Sequence, residues 1–129
     1  HIQVALAQSA ALALLKLRRT GTMEDTDRVN MQMLLKLLAD ARETAELIYR
    51  GSWSMAFGRS PTTCSVVLRI LKESSDRQEN FCHFLERLHA TVQTVLKGIV
   101  PNDREFSLLQ FFLRGYAWYW GQKLPRTGC

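Results

Sequence analysis

The stretch Phe106–Trp120, FSLLQFFLRGYAWYW, holds seven of the twelve aromatic residues of the chain and a single charged residue, Arg114. A helix that lies in water carries more charge than this. The segment therefore predicts either a part of the core or a surface that another molecule covers.

The order of the aromatic residues favours a partly exposed helix. Phe111, Phe112 and Leu113 are consecutive, so they point around more than half of the helix, and one small core rarely covers all of them. Trp118 and Trp120 are two residues apart and diverge by about 200° on a helix. We therefore expect one of the two indoles to be exposed in the isolated chain and covered in a complex.

Cap signals and apolar spacing on both sides of this segment predict an all-α fold, a single five-helix domain of residues 1–129 with short connections and no strand. Residues 51–60, which include Trp53, read as a loop. The first predicted helix runs from about Ile2 to Arg19. The second begins after Thr26 or Asp27, either of which can serve as N-cap, and runs to Tyr49, with Gly51 as the terminating glycine. The third begins at Ser60-Pro61, the fourth runs from the Ser75–Gln78 capping box to Gly98, and the fifth runs from the Asn102–Glu105 capping box through the aromatic segment, with a break or bend at Gly115.

Composition and charge narrow the function classes. The formal net charge of +5 comes from Lys and Arg spread over both halves, and only Lys16, Arg18 and Arg19 cluster, so nucleic-acid binding is not favoured. The three cysteines form no paired spacing, which predicts a reducing, intracellular and cytoplasmic setting without a disulfide framework. Because the chain begins at His1, we expect a fragment or a processed form.

The sequence predicts neither a catalytic centre nor a cofactor. Cys82 and His89 share a helix face, but a zinc site needs two further ligands that the sequence does not supply at a suitable spacing. Glu79 and Glu86 also share a face, where we expect solvated carboxylates. With no phosphate-binding glycine loop and no nucleophile motif, we expect a non-enzymatic protein without metal or small-molecule substrate.

The segment Glu79–Leu88, ENFCHFLERL, carries a family resemblance, because it reads Glu-x-aromatic-x-x-aromatic-x-x-Arg-Leu. It resembles the second half of the major homology region in the capsid C-terminal domain of retroviral and retrotransposon Gag proteins. Residues 58–62 are similar to the interdomain linker of gammaretroviral capsids, so the resemblance covers roughly residues 58–124. It implies that Glu79 ties a turn and that Arg87 joins a buried polar network. It also implies that the helix from Asp103 takes the place of the dimerisation helix of that family.

Together these features predict a non-catalytic helical module that binds another protein or its own copies. Two alternatives stay open: a Gag-derived, capsid-like self-assembly domain, and a structural subunit or fragment of a larger complex. In the second alternative the apolar, basic first helix and the aromatic belt suit a membrane surface. The residues expected to contact the partner are Phe111, Phe112, Tyr116, Trp118, Tyr119 and Trp120, with Trp53 in a second patch.

Overall fold

The computed structural model describes the backbone of residues 2–73 and 77–121 and the side chains of residues 2–69 and 81–121. Within these ranges every regular element is an α-helix, as the sequence predicts, but there are six helices rather than five. They are α1 (Ile2–Thr20), α2 (Asp25–Tyr49), α3 (Trp53–Arg59), α4 (Pro61–Glu73), α5 (Arg77–Leu96) and α6 (Asp103–Gly121).

The additional helix is α3, where the sequence predicted a loop. Its backbone bonds run from Ala56 N to Ser52 O (3.0 Å) and from Ser60 N to Ala56 O (3.1 Å). Ala56 is buried, while glycines precede α3 at position 51 and lie within it at position 58. The loop prediction was wrong. The glycines at positions 51 and 58 do not favour a helix, but the burial of Ala56 against the rest of the chain stabilises one.

Two predicted helix starts are confirmed by their hydrogen bonds. At the start of α6, Glu105 N donates to Asn102 Oδ1 (2.8 Å) and Asn102 N donates to Glu105 Oε1 (3.1 Å), which is a reciprocal capping box. At the start of α4, Thr63 N donates to Ser60 Oγ at 3.3 Å. These bonds satisfy amides that have no partner inside their helices.

The predicted start of α2 was wrong by two or three residues. The helix begins at Asp25, with Glu24 as the N-cap residue and without a side-chain capping bond, rather than after Thr26 or Asp27. The Glu24 carboxylate instead forms an ion pair with Lys16 at the end of α1. The predicted Ser75–Gln78 capping box lies outside the described residues.

Glycines end two helices as predicted. Gly51 (φ 82°) follows α2 and Gly98 (φ 89°) follows α5, both in the left-handed region that favours glycine. After α2, Ser52 N donates to Leu47 O at 2.8 Å and Gly51 N donates to Ile48 O at 3.0 Å. These hydrogen bonds satisfy carbonyl groups in the last turn of α2, and the chain then continues into α3.

The helices pack mainly as two antiparallel pairs, α1 with α6 and α2 with α5. In the first pair, Gln110 Nε2 donates to Ala11 O at 3.0 Å, and Arg18 lies 2.8 Å from the Asp103 carboxylate. In the second pair, Arg28 donates to Leu96 O at 3.0 Å. The short helices α3 and α4 pack on α2.

The core lies between these pairs. The largest fully buried side chains include Phe81, Leu88, Tyr116 and Trp120. Phe84 is only half-buried because it lies at the seam between α5 and α6. The expected break at position 115 is absent, since α6 runs continuously from Asp103 to Gly121.

Candidate functional site

The aromatic residues of α6 divide between the core and the surface. Phe112, Tyr116 and Trp120, which the sequence predicted as partner contacts, are buried and belong to the core of the described chain. Spacings of four residues place all three on the inward side of α6. Phe112 packs edge-on against Phe84 at 5.4 Å, and Trp120 lies 6.3 Å from the ring of Phe81, so the side chains of α5 already cover them.

The opposite side of α6 carries apolar side chains that are exposed in the part of the chain that the structure describes. Phe111 is 64% exposed and Trp118 is 52% exposed. Leu108 and Arg114 are also exposed, and these four residues are called the outward stripe below. The prediction that one of the two indoles is exposed is confirmed, because Trp118 lies in water while Trp120 is fully buried.

Tyr119 lies at the boundary between the two sides. Its ring is half-buried and contacts Phe81 edge-on at 5.2 Å and Phe84 at 5.7 Å. On its other side it meets Trp118 edge-on at 5.3 Å. The exposed indole is therefore held against a ring that is itself anchored on α5.

Phe84 of α5 packs directly against the backbone of α6 at Gly115. A Cβ atom built on Gly115 would lie 3.3 Å from Cε2 of Phe84. That separation is tighter than an ordinary van der Waals contact, so glycine lets the ring of Phe84 pack directly on the α6 backbone. The outward stripe consequently lies on a helix that packs closely against α5.

A second apolar surface surrounds α3 and includes the predicted residue Trp53, which is 51% exposed. Met55 and Phe57 on the same helix are also exposed, as is Tyr49 at the end of α2. These four residues are called the α3 patch. Ala56 is the buried residue of this helix, so most of its apolar surface faces solvent.

Three buried polar atoms have no hydrogen-bond partner among the described residues: Gln3 Oε1, Tyr116 Oη and Trp120 Nε1. Burial, together with the carboxylate of Asp40, raises the pKa of Tyr116. The phenol therefore stays neutral in the folded chain. Burial also raises the pKa of the Cys64 thiol, which is typical of an unreactive structural cysteine.

A cleft of about 420 Å³ lies between α2 and α5. Leu38 and Leu85 contribute apolar side chains to it, and Glu43, Glu46 and Glu86 contribute carboxylates. Sequence reasoning missed this site and expected Glu86 to be only a solvated carboxylate. A usable signal was present, because every Asp and Glu of the chain lies in residues 24–46 or 73–105.

The capsid resemblance assigned structural roles to Arg87 and Glu79. Arg87 is exposed, and its guanidinium lies 5.1 Å from the centroid of the Phe112 ring rather than in a buried polar network. This is a cation–π contact at the surface. The side chain of Glu79 lies outside the described residues.

Within residues 2–69 and 81–121, no group of three or more His, Cys, Asp or Glu side chains is arranged to hold a metal ion. Among the six described helices, none combines the length and the apolar character needed to cross a membrane.

Comparison of the chain with known protein families, with curated proteins and with solved structures found no match.

Proposed function

We propose that this chain is a non-catalytic helical module that associates with a protein, either a distinct partner or its own copies, through the outward stripe of α6. The observation that carries the proposal is the exposure of Phe111 and Trp118 on a helix whose other large aromatic residues are buried or half-buried. Aromatic and Arg side chains dominate the energetics of protein interfaces, and this stripe also contains Arg114.

The packing beneath the stripe supports the same proposal. Trp118 rests on Tyr119, and the α6 backbone at Gly115 rests on Phe84. Side chains that are already ordered lose less conformational entropy when they bind. An exposed but fixed indole is therefore better suited to a contact than a mobile one.

Site-specific photo-crosslinking tests the proposal. Benzoylphenylalanine in place of Phe111 is expected to give intermolecular adducts, with the purified chain alone if copies associate and in cell extract if a distinct protein binds. The same group at Gln32, an exposed position of α2, is the matched control. If position 111 gives no more adducts than position 32 in either sample, the proposed function is wrong.

A second candidate function, attachment to an anionic membrane surface, is favoured by the α3 patch. Four large apolar side chains are exposed within the nine residues 49–57. The surrounding residues 47–72 contain four basic residues and no acidic one, although Arg59 among them forms ion pairs with Asp40 and Glu43 of α2. Aromatic and Met side chains that enter the headgroup region, next to basic residues, are typical of proteins that lie on membranes.

Co-sedimentation with vesicles tests this second candidate. The chain is expected to bind phosphatidylserine-containing vesicles and not pure phosphatidylcholine vesicles, and Trp53→Ala with Phe57→Ala is expected to abolish the binding. The variant with Phe111→Ala and Trp118→Ala serves as the control and keeps the binding. Equal binding by both double variants would exclude α3 as the membrane contact.

A further inference from the structure

The cleft between α2 and α5 carries an acidic rim. Glu43, Glu46 and Glu86 line it together with Arg42 and the exposed residue Ala39, while Leu38 and Leu85 border it but are fully buried. Its volume of about 420 Å³ lies within the range of pockets that hold a few side chains or a small ligand.

The charges around the cleft are only partly balanced within the chain. Arg42 lies 2.9 Å from the Glu86 carboxylate and 3.4 Å from that of Glu46, so its guanidinium forms ion pairs with both carboxylates. Arg59 likewise forms ion pairs with two carboxylates, those of Asp40 and Glu43. The four carboxylates exceed the two guanidinium groups by two charges, on a chain whose formal net charge is +5.

The outward stripe of α6 has the complementary chemistry. Phe111, Arg114 and Trp118 follow one another at intervals of three and four residues, so they line one side of the helix. Arg114 has no ion-pair partner among the described residues, and no acidic residue follows Glu105 in the sequence. The stripe thus presents two aromatic rings with a positive charge between them.

Helix α5 separates the two surfaces within one molecule. Phe84 and Arg87 contact Phe112, which places that side of α5 against α6. Glu86 and His89 line the cleft on the side of α5 that faces α2. A chain therefore cannot place its own stripe in its own cleft, and a contact between the two surfaces must join different copies.

We propose that the partner of the outward stripe is a second copy of this chain, whose α2–α5 cleft receives it. This inference rests on the proposed function and names its partner. An aromatic ring of the stripe packs on Ala39 of the cleft, and Arg114 supplies positive charge to the carboxylates of the rim. Because each copy offers one stripe and one cleft, the contact is head-to-tail, and the assembly grows with concentration as an open chain or until it closes into a ring.

A complementation experiment tests this arrangement. The stripe variant carries Phe111→Ala and Trp118→Ala and keeps its cleft, whereas the cleft variant carries Ala39→Trp and keeps its stripe. Ala39 is exposed and lines the cleft, so the added indole fills the site without breaking an ion pair. Gln32→Trp, on the exposed surface of the same helix, is the matched control.

Mass in solution is measured by sedimentation velocity over a range of concentrations. The parent chain and Gln32→Trp are expected to form oligomers of growing size, and each of the two other variants is expected to stay at the monomer mass of 14.8 kDa. An equimolar mixture of the stripe and cleft variants should form a dimer of twice that mass, since one intact stripe meets one intact cleft. Removal of the two aromatic side chains should raise the dissociation constant of the contact between stripe and cleft about thirtyfold or more. Raised salt should weaken the assembly, because it screens the charges on the two surfaces.

Three outcomes overturn the inference: a parent that stays monomeric at millimolar concentration, a cleft variant that assembles like the parent, or a mixture that stays monomeric. None of them overturns the proposed function, which fails only when position 111 gives no specific adducts in cell extract as well. If Ala39→Trp lowers the thermal midpoint relative to Gln32→Trp, Glu86→Lys takes its place as the cleft variant.

Discussion

Tyr116 stacks on Trp120 with the ring centroids 4.4 Å apart, and both side chains are fully buried. The residues are one helical turn apart on α6, so the same turn brings the two rings together. Their polar atoms, Tyr116 Oη and Trp120 Nε1, have no partner among the described residues. The pair fills the core with aromatic area and leaves two polar groups unsatisfied.

Removal of the Tyr116 hydroxyl is expected to leave the stability of the folded chain unchanged or to increase it. A buried hydroxyl without a partner costs free energy, so Tyr116→Phe should raise the free energy of unfolding by up to about 1 kcal/mol at neutral pH. Urea denaturation of this variant and of Tyr49→Phe, an exposed control, measures the effect. A loss of more than about 1 kcal/mol would show that the hydroxyl has a stabilising partner.

The same phenol should make stability depend on pH in alkaline solution. Its pKa is raised in the folded chain by burial and by the Asp40 carboxylate. Above pH about 10 the unfolded chain loses the proton while the folded chain retains it, so the free energy of unfolding falls as pH rises. The contribution is fully present below the unfolded pKa and declines above it by about 1.4 kcal/mol per pH unit. Tyr116→Phe should lack this part of the slope, whereas Tyr49→Phe should keep it.

Trp118 and Trp120 should differ sharply when each is replaced by Ala. Trp120→Ala empties a fully buried site and should lower the free energy of unfolding by about 3–5 kcal/mol. Trp118→Ala should cost about 1 kcal/mol or less, but should weaken association by about 2 kcal/mol or more. Chemical denaturation and sedimentation measure the two quantities. Unchanged association of folded Trp118→Ala would contradict the assigned contact.

Two helical glycines should respond in opposite directions to Ala. Gly58 in α3 has open space where a Cβ atom would lie, so Gly58→Ala should stabilise the chain by about 0.5–1 kcal/mol. Gly115→Ala should destabilise it by about 1 kcal/mol, because Phe84 is held between Phe81, Phe112 and Tyr119 and cannot move aside freely. Equal stabilisation by both substitutions would show that the α5–α6 contact is loose.

Arg87→Gln distinguishes a surface contact from the buried network that the capsid resemblance implies. Loss of the cation–π contact with Phe112 should cost about 0.5–1 kcal/mol. Arg104→Gln, at an exposed position of α6, is the control and should change stability by less than about 0.5 kcal/mol. A loss of several kcal/mol at position 87 would favour the capsid-like alternative, because an unpaired buried group is that costly.

Local sequence signals determined the all-α class, the ends of several helices and the division between the two indoles. The Asn102–Glu105 capping box and the glycines at positions 51 and 98 act over a few residues, so their geometry follows from the residues themselves. The same holds for Trp118 and Trp120, because the helical repeat alone places them on different sides.

Tertiary packing decided which side of α6 is inward and where a complementary surface lies. Phe112 and Phe111 are adjacent and chemically identical, and only the position of Phe84 on α5 makes the first a core residue. The cleft joins Glu46 to Glu86 through Arg42, although forty residues separate the two carboxylates in the sequence. Helix α3 forms because Ala56 is buried. Sequence periodicity describes each helix about its own axis, whereas the direction from which a neighbour approaches depends on contacts between residues far apart in the chain.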